Sequence, residues 1–412
     1  MARRLIELEE ARRLVLEAAR PLVAERVRLT EALGRVLAED VASAERVPGF
    51  ANSAMDGFAV RSADTAAAAP GAPIRLRVVG ESRAGAPAGS AVGAGEAIRI
   101  STGAMLPEGA DAIVRLEEAS EAEGEIETET STEPGRDIRR AGEDIEEGDN
   151  VLRAGSVVGA AELGVLASVG RDTPACVRRP RVAIVTSGDE LLDPAEPMVP
   201  GGIRNTNAWA LPALAVLAGG EAAGQAGARD ELGGTRDAIA AALEADVAVI
   251  SGGVSVGEHD HVRAALAELG VEQRFWGVAL RPGRPTWFGV HRGGPPDGAL
   301  VFGLPGNPVS AVVTFLLFAR PAIRALLGAD PERERTTAML DSGYEKGPGR
   351  THAIRVRLRL GEDGLHAEPT TEAQGSHILT SMLGADALAV IPAEQMTVAP
   401  GERVEIELLP RP

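Results

Sequence analysis

The spacing of apolar and polar positions divides the chain into stretches of different texture. In residues 1–20, Leu5, Leu8, Arg12 and Val15 fall roughly on one stripe and Pro21 follows, which predicts an amphipathic helix. Residues 30–34 predict a second short helix with Thr30 as its cap, and residues 160–169 a third. Between about Ile74 and Thr130 the apolar runs are short and extended (74–79, 97–101, 112–116, 126–130), with glycine-rich turns between them. That is the pattern of a small β domain. From Arg181 strands and helices alternate. Strands are expected at 182–185, 247–250, 286–290 and 300–302, and helices at 206–217, 235–243, 264–269 and 309–327. Near-continuous apolar strands between helices argue a sheet that is mostly parallel and covered on both faces. After Pro331, residues 353–360 alternate apolar positions with Arg355, Arg357 and Arg359, and short strands at 388–391 and 403–408 complete a barrel-like β domain. The expected fold is α/β and multidomain. An N-terminal helical and connecting region spans 1–44 with 146–178, an inserted β domain 45–145, the α/β domain 179–330 and the barrel-like domain 331–412.

In open α/β sheets ligands bind at the carboxyl ends of the strands. Three polar, glycine-containing stretches fall there: 186–190 (Thr-Ser-Gly-Asp-Glu), 251–260 and 303–308. The second, Ser-Gly-Gly-Val-Ser-Val-Gly-Glu-His-Asp, is the richest. Gly252, Gly253 and Gly257 let backbone approach a ligand, the following helix start favours an anion, and Ser251 and Ser255 carry hydroxyls. Glu258 and Asp260 would then point to a bridging cation beside phosphate. A tight turn with carboxylates at a helix start reads equally well from these residues alone. Ser187 or Asp189 could cap a helix, Asp230 could close a turn, and Asn307 or Ser310 with Pro308 could begin one. Arg281-Pro-Gly-Arg284-Pro holds two guanidinium groups in a stiff turn suited to bidentate phosphate contacts. His259 and His261, two apart, would point to different helix faces, so carboxylates with Mg²⁺ are favoured over a histidine zinc site.

Composition narrows the classes. The chain has 412 residues, 44% hydrophobic and 25% charged, with a net charge of −18. That length implies two to four domains, and that charge argues against a nucleic-acid partner. Cys176 is the sole cysteine, which excludes an intramolecular disulfide and fits a reducing cytoplasm. Residues 1–20 mix four glutamates with arginines, unlike a secretory leader. The longest apolar run, 309–319, is expected to be too short to span a bilayer.

Motifs in order along nearly the whole chain resemble the MoeA family of molybdopterin molybdenumtransferases, also seen as the E domain of gephyrin. They are 52–60 (Asn-Ser-Ala-Met-Asp-Gly-Phe-Ala-Val), 100–104 with 109–112, 140–144, 186–191, 251–260, 281–285, 303–310, and Gln374-Gly-Ser376 with Ser381-Met382. The resemblance implies that adenylylated molybdopterin and molybdate give molybdenum cofactor, AMP and water with a divalent cation. It implies a homodimer in which the β domain of one subunit faces the α/β domain of the other. By the same resemblance Ser251, Gly252, Gly253 and Ser255, with Ser187, Gly188 and Asp189, hold phosphate and nucleotide. Arg281 and Arg284 meet anionic charge. Glu190, Asp230 and Asp260 serve the cation or water. Pro305, Ser310, Arg355 and Ser376 line the molybdate region, and Asp56, Thr102 and Asp144 come from the second subunit. The family usually has lysine where Arg281 and Arg284 stand. Three other readings stay open: the adenylyltransferase of the preceding step, a tungsten-inserting relative, and a gephyrin-like scaffold.

Overall fold

The computed structural model describes residues 5–228, 231–254, 261–296, 298–332 and 335–410. The chain forms two compact units, one of Asp40–Arg153 with Ala160–Pro174, the other of Met1–Glu39, Ala154–Gly159 and Ala175–Pro412.

The smaller unit is built on a six-stranded sheet in the order Ala112–Arg115, Gly57–Val60, Glu96–Ile100, Ile74–Ser82, Glu125–Thr128, Ala119–Ala122. The expected extended runs are all in it. Phe58, Val60, Leu76, Val114 and Ile126 close its core. The stretch between Val47 and Gly57 forms turns and the short strand Asn52–Ser53 paired with Ile138–Arg139.

In the larger unit the helix Leu8–Ala18 buries Leu8, Ala11, Arg12 and Val15, the predicted stripe one turn shorter at its start. The short helix expected with Thr30 as cap is a single 3₁₀ turn, Leu29–Glu31, and Thr30 lies inside it. The five residues 30–34, ending at Gly34's left-handed turn, are too few to repay helix nucleation. The central sheet runs Glu221–Ala228, Arg181–Ser187, Val247–Ser251, Ala299–Leu304, Trp287–His291, Glu272–Trp276. Its first four strands are mutually parallel and the last two pairings are antiparallel, with Trp287–His291 running against the rest, so the sheet is mostly, not wholly, parallel. Glu272–Trp276 had no apolar run to announce it. It is an edge strand, and polar residues suit an edge. The inner strands are buried on both faces: Val182, Ile184, Val247, Val249 and Phe302 pack on one side, Ala183, Val185, Ala248, Ile250 and Val301 on the other.

One face is covered by the continuous helical segment Pro308–Leu326, whose middle, Phe315–Ala319, is π-helical. At 19 residues it is longer than the expected apolar run and meets the length and composition of a membrane span, yet almost all of it is buried in the protein core. Arg12 donates from Nε to the Leu317 carbonyl inside the π segment, 3.3 Å away. The last region closes a five-stranded barrel. Thr351–Gly361, Gly364–Pro369, Arg335–Leu340, Glu402–Leu408 and Ala387–Ile391 pair in that order, and the last returns to the first. Ile354 and Val356 line its interior, whereas Ala353 joins the sheet core, so Arg355, of Ala353's parity, faces away from the barrel interior.

Candidate active site

Three neighbouring strands end at one edge of the sheet, and hydrogen bonds join their loops. Strand Val247–Ser251 ends in the glycine turn. Gly252 has φ +99°, its N–H donates to the Leu304 carbonyl at 3.1 Å, and a Cβ there would lie 2.4 Å from the Ser187 carbonyl oxygen. Only glycine fits. The turn is pinned on its far side by Trp276, whose indole Nε1 donates to the Val254 carbonyl at 3.1 Å. The Arg263 guanidinium lies 4.5 Å from the Trp276 ring centroid.

Ser251 is buried, and its hydroxyl is engaged within the protein. It accepts from Asn207 Nδ2 at 2.8 Å and donates to the Pro305 carbonyl at 3.2 Å. Ser251 thereby links the start of the helix Asn207–Leu217 to the third strand-end loop. At the first strand end no helix follows Ser187, so capping by Ser187 or Asp189 does not occur. Gly188 turns the chain into the short strand Leu191–Leu192, leaving Asp189 and Glu190 exposed. Ser255 and Asp260, with Glu258 and His259, lie outside the described residues, as does Asp230.

The third strand leads through buried Pro305 to Asn307, after which Pro308 takes the first helical position as expected. Asn307 occupies the cap position without capping. Its Nδ2 reaches Ser376 Oγ at 3.3 Å, and the Val309 N–H donates to the Ser376 carbonyl at 3.2 Å. Ser310 is buried one turn on. The barrel's Gln374–Ser376 loop thus sits on this helix start. The Arg281–Arg284 loop packs on the same helix: a Cβ on Gly283, φ +121°, would lie 2.4 Å from Thr314 Cγ2. Both arginines are exposed, and Leu280–Arg281 pairs in parallel with Thr351–His352 of the strand that carries Arg355.

Arg355 has no solvent exposure and no carboxylate partner among the described residues. Nε donates to Ser381 Oγ at 3.1 Å and one terminal nitrogen to the Gly375 carbonyl at 3.3 Å, while the other is buried with no hydrogen-bond acceptor. Burial pulls its pKa down to about 10, so it keeps its charge at neutral pH. Nearby, His352 is buried and its Nδ1 lies 2.9 Å from the Tyr344 hydroxyl. Burial and the charges of Arg281, Lys346 and Arg350 push its pKa down to about 4, which keeps the ring neutral.

In the smaller unit the structure brings Asp56 and Thr102 together. Asp56 Oδ1 accepts from the Thr102 N–H at 2.7 Å and from its hydroxyl at 3.1 Å, and these bonds hold the exposed carboxyl below the usual range. Asp144 is exposed on another turn, its N–H donating to the Val47 carbonyl at 3.1 Å. No described hydrogen bond joins it to Asp56. No cluster of three metal-binding side chains occurs among the described residues.

Sequence reasoning missed Asn205 and Asn207, and it gave Ser381, quoted within a motif, no role. The Asn-Thr-Asn triplet at a helix start was the available sign. Asparagines there are usually caps, and Asn205 is one, accepting the Ala208 N–H at 3.1 Å.

Residues 6–170 match the MoeA N-terminal region (domains I and II), 183–325 a probable molybdopterin binding domain, and 337–409 the MoeA C-terminal region (domain IV). The molybdopterin molybdenumtransferase of Haemophilus influenzae is 35% identical over 408 residues, 98% of each chain. The chain belongs to the MoeA family. The Bacillus subtilis molybdopterin molybdenumtransferase is 35% identical over 410 residues, 98% of this chain and 94% of that one. A crystal structure of a molybdopterin biosynthesis MoeA protein from Pyrococcus horikoshii superposes with a TM-score of 0.84 at 30% identity, over 98% of this chain and all of that one. Membership of MoeA covers both compact units and the barrel, so the alternative of an adenylyltransferase resembling the α/β domain alone is not favoured.

Proposed function

We propose that this MoeA-family chain is a molybdopterin molybdenumtransferase of molybdenum cofactor biosynthesis, taking adenylylated molybdopterin and molybdate and releasing AMP with the cofactor. One observation carries the site assignment: Arg355 is a fully buried cation with one nitrogen unpaired, beside the Gly375–Ser376 loop. A buried charge without a counter-ion is costly, and a bound oxyanion such as molybdate supplies the missing partner. Ser376, Pro305 and Ser310 stand around the same helix start. The turn at Gly252 and Gly253, with Ser187, Gly188 and Asp189 beside it, would let substrate phosphate approach the backbone closely, the Gly252 N–H itself being held by the Leu304 carbonyl. The exposed pair Arg281 and Arg284 would neutralise it and orient the phosphoanhydride. Guanidinium groups in place of the family's usual lysines keep the charge and add bidentate geometry.

Glu190 is an exposed carboxylate at the strand end with no ion pair among the described residues, and oxygen donors of this kind fit Mg²⁺. With Asp230 and Asp260 it would hold that ion, which polarises a phosphoryl group toward attack. In this reading the protein works as a homodimer in the cytoplasm, and Asp56, Thr102 and Asp144 complete the site from the second subunit. The Thr102 bonds keep Asp56 ionised, ready to orient a cationic or N–H group. The test is AMP release from adenylylated molybdopterin by the purified full chain with Mg²⁺. Release that requires molybdate is expected, and release indifferent to any oxyanion would refute the assignment. Tungstate in parallel distinguishes a tungsten-inserting enzyme.

A further inference from the structure

Asn207 is the point at which two strand-end loops are tied together. It begins the helix Asn207–Leu217 and is 7% exposed. Its side-chain N–H groups donate to Ser251 Oγ and to the Gly306 carbonyl, each at 2.8 Å. An amide nitrogen carries two protons, and both are used. Ser251 passes the link to the Pro305 carbonyl at 3.2 Å. A Cβ on Gly306 would meet the Gly252 Cα at 3.7 Å, so the loop that Asn207 holds abuts the glycine turn. Two residues earlier, Asn205 donates to Thr186 Oγ1 at 2.8 Å and ties in the third strand end. The oxygen of Asn207 is buried and accepts no hydrogen bond from the described residues. A buried acceptor left unpaired is destabilising, and a folded protein that keeps one needs a reason other than stability.

We infer that Asn207 is a positioning residue of the active site, its amide setting Ser251 and Gly306 so that the Gly252 turn is held ready for substrate phosphate. This rests on the function proposed above for the same site. Asn207 works through its N–H groups. Asn207→Asp, nearly isosteric, removes both donors and should therefore behave like Asn207→Ala. Displacing a substrate-holding loop by about 1 Å costs on the order of 10²-fold in rate, and that fall in kcat/KM is expected for both variants. Because Asn207 acts through Ser251, the double variant Asn207→Asp/Ser251→Ala should fall no further than the worse single variant. A purely structural role would lower stability and leave independent, multiplying effects on kcat/KM.

The decisive experiment pairs that cycle with hydrogen exchange on the full chain without substrate. In Asn207→Asp, peptides covering Ser251–Val254 and Pro305–Asn307 should exchange faster, with the core of the long helix unchanged. Unaltered exchange at both loops would overturn the clamp whether or not the chain inserts molybdenum. Wild-type-like kcat/KM in Asn207→Asp, or multiplicative loss in the double variant, would overturn its role in positioning. Failure of the wild type to release AMP would instead refute the function, while the exchange result still tests the clamp.

Discussion

Two arginines in the larger unit are buried to a similar degree and live in opposite electrostatic circumstances. Arg12, at the seam between the first helix, the π segment and the barrel, is 6% exposed, and its guanidinium meets Glu407 at 2.7 Å as well as Leu317 O and Glu9. Arg355, on the barrel strand beside the strand-end loops, is wholly buried, and among the described residues its guanidinium meets a hydroxyl and a carbonyl. The first is a neutralised pair whose removal leaves a buried carboxylate behind. The second is a cation with no carboxylate partner among the described residues. The contrast separates a charge neutralised within the fold from the charge that the proposed function gives to an oxyanion.

Substitutions can break that contrast. Arg355→Met should lower molybdenum insertion by about 10²–10³-fold, the loss typical of removing one preorganised donor, while the thermal midpoint stays level or rises because an uncompensated buried charge has gone. Activity and thermal-melt assays on the same preparation check both halves. Arg12→Met should do the reverse, costing about 3–5 kcal/mol in denaturant titration while folded molecules keep wild-type activity. Adding Glu407→Leu should recover most of that loss. A smaller effect belongs to His352. Its folded pKa of about 4 lies below the ordinary 6.5, so the unfolded chain binds more protons between those values. Stability present above about pH 6.5 is lost as pH falls toward 4, by about 3 kcal/mol at 1.36 kcal/mol per unit. His352→Gln should flatten that limb of a stability–pH curve. The smallest effect is expected at exposed Arg13, bonded to Glu10 and Glu17 on the first helix. Arg13→Ala should leave both melting and activity unchanged, since solvated pairs contribute little.

What could be read from the residues follows the physics of each level. Strands of the α/β sheet were legible because burial on both faces demands continuous apolar runs such as Val247–Ile250. The edge strand Glu272–Trp276 was not, because edges need no such run. The glycine turn was legible as a turn, and the motif order identified its family. What its hydroxyl touches was not legible: the fold reveals that Ser251 Oγ accepts from Asn207 and donates to the Pro305 carbonyl. Arg355 looked like one of three alternating arginines. Its burial, against the exposure of Arg357, depends on the barrel's closure and on what packs outside it, which no local pattern encodes. Asp56 and Thr102, 46 positions apart, meet across a pair of turns that sequence spacing could not join.

Direct binding of molybdate to the full chain, followed by calorimetry for wild type, Arg355→Met and Arg12→Met, tests the central claim. The account predicts saturable binding by wild type and Arg12→Met, and a loss of at least about tenfold in affinity for Arg355→Met, the value of one charge-assisted hydrogen bond of roughly 1.5–3 kcal/mol. Equal affinity in Arg355→Met and wild type would show that the buried cation does not hold the oxyanion and would contradict the account.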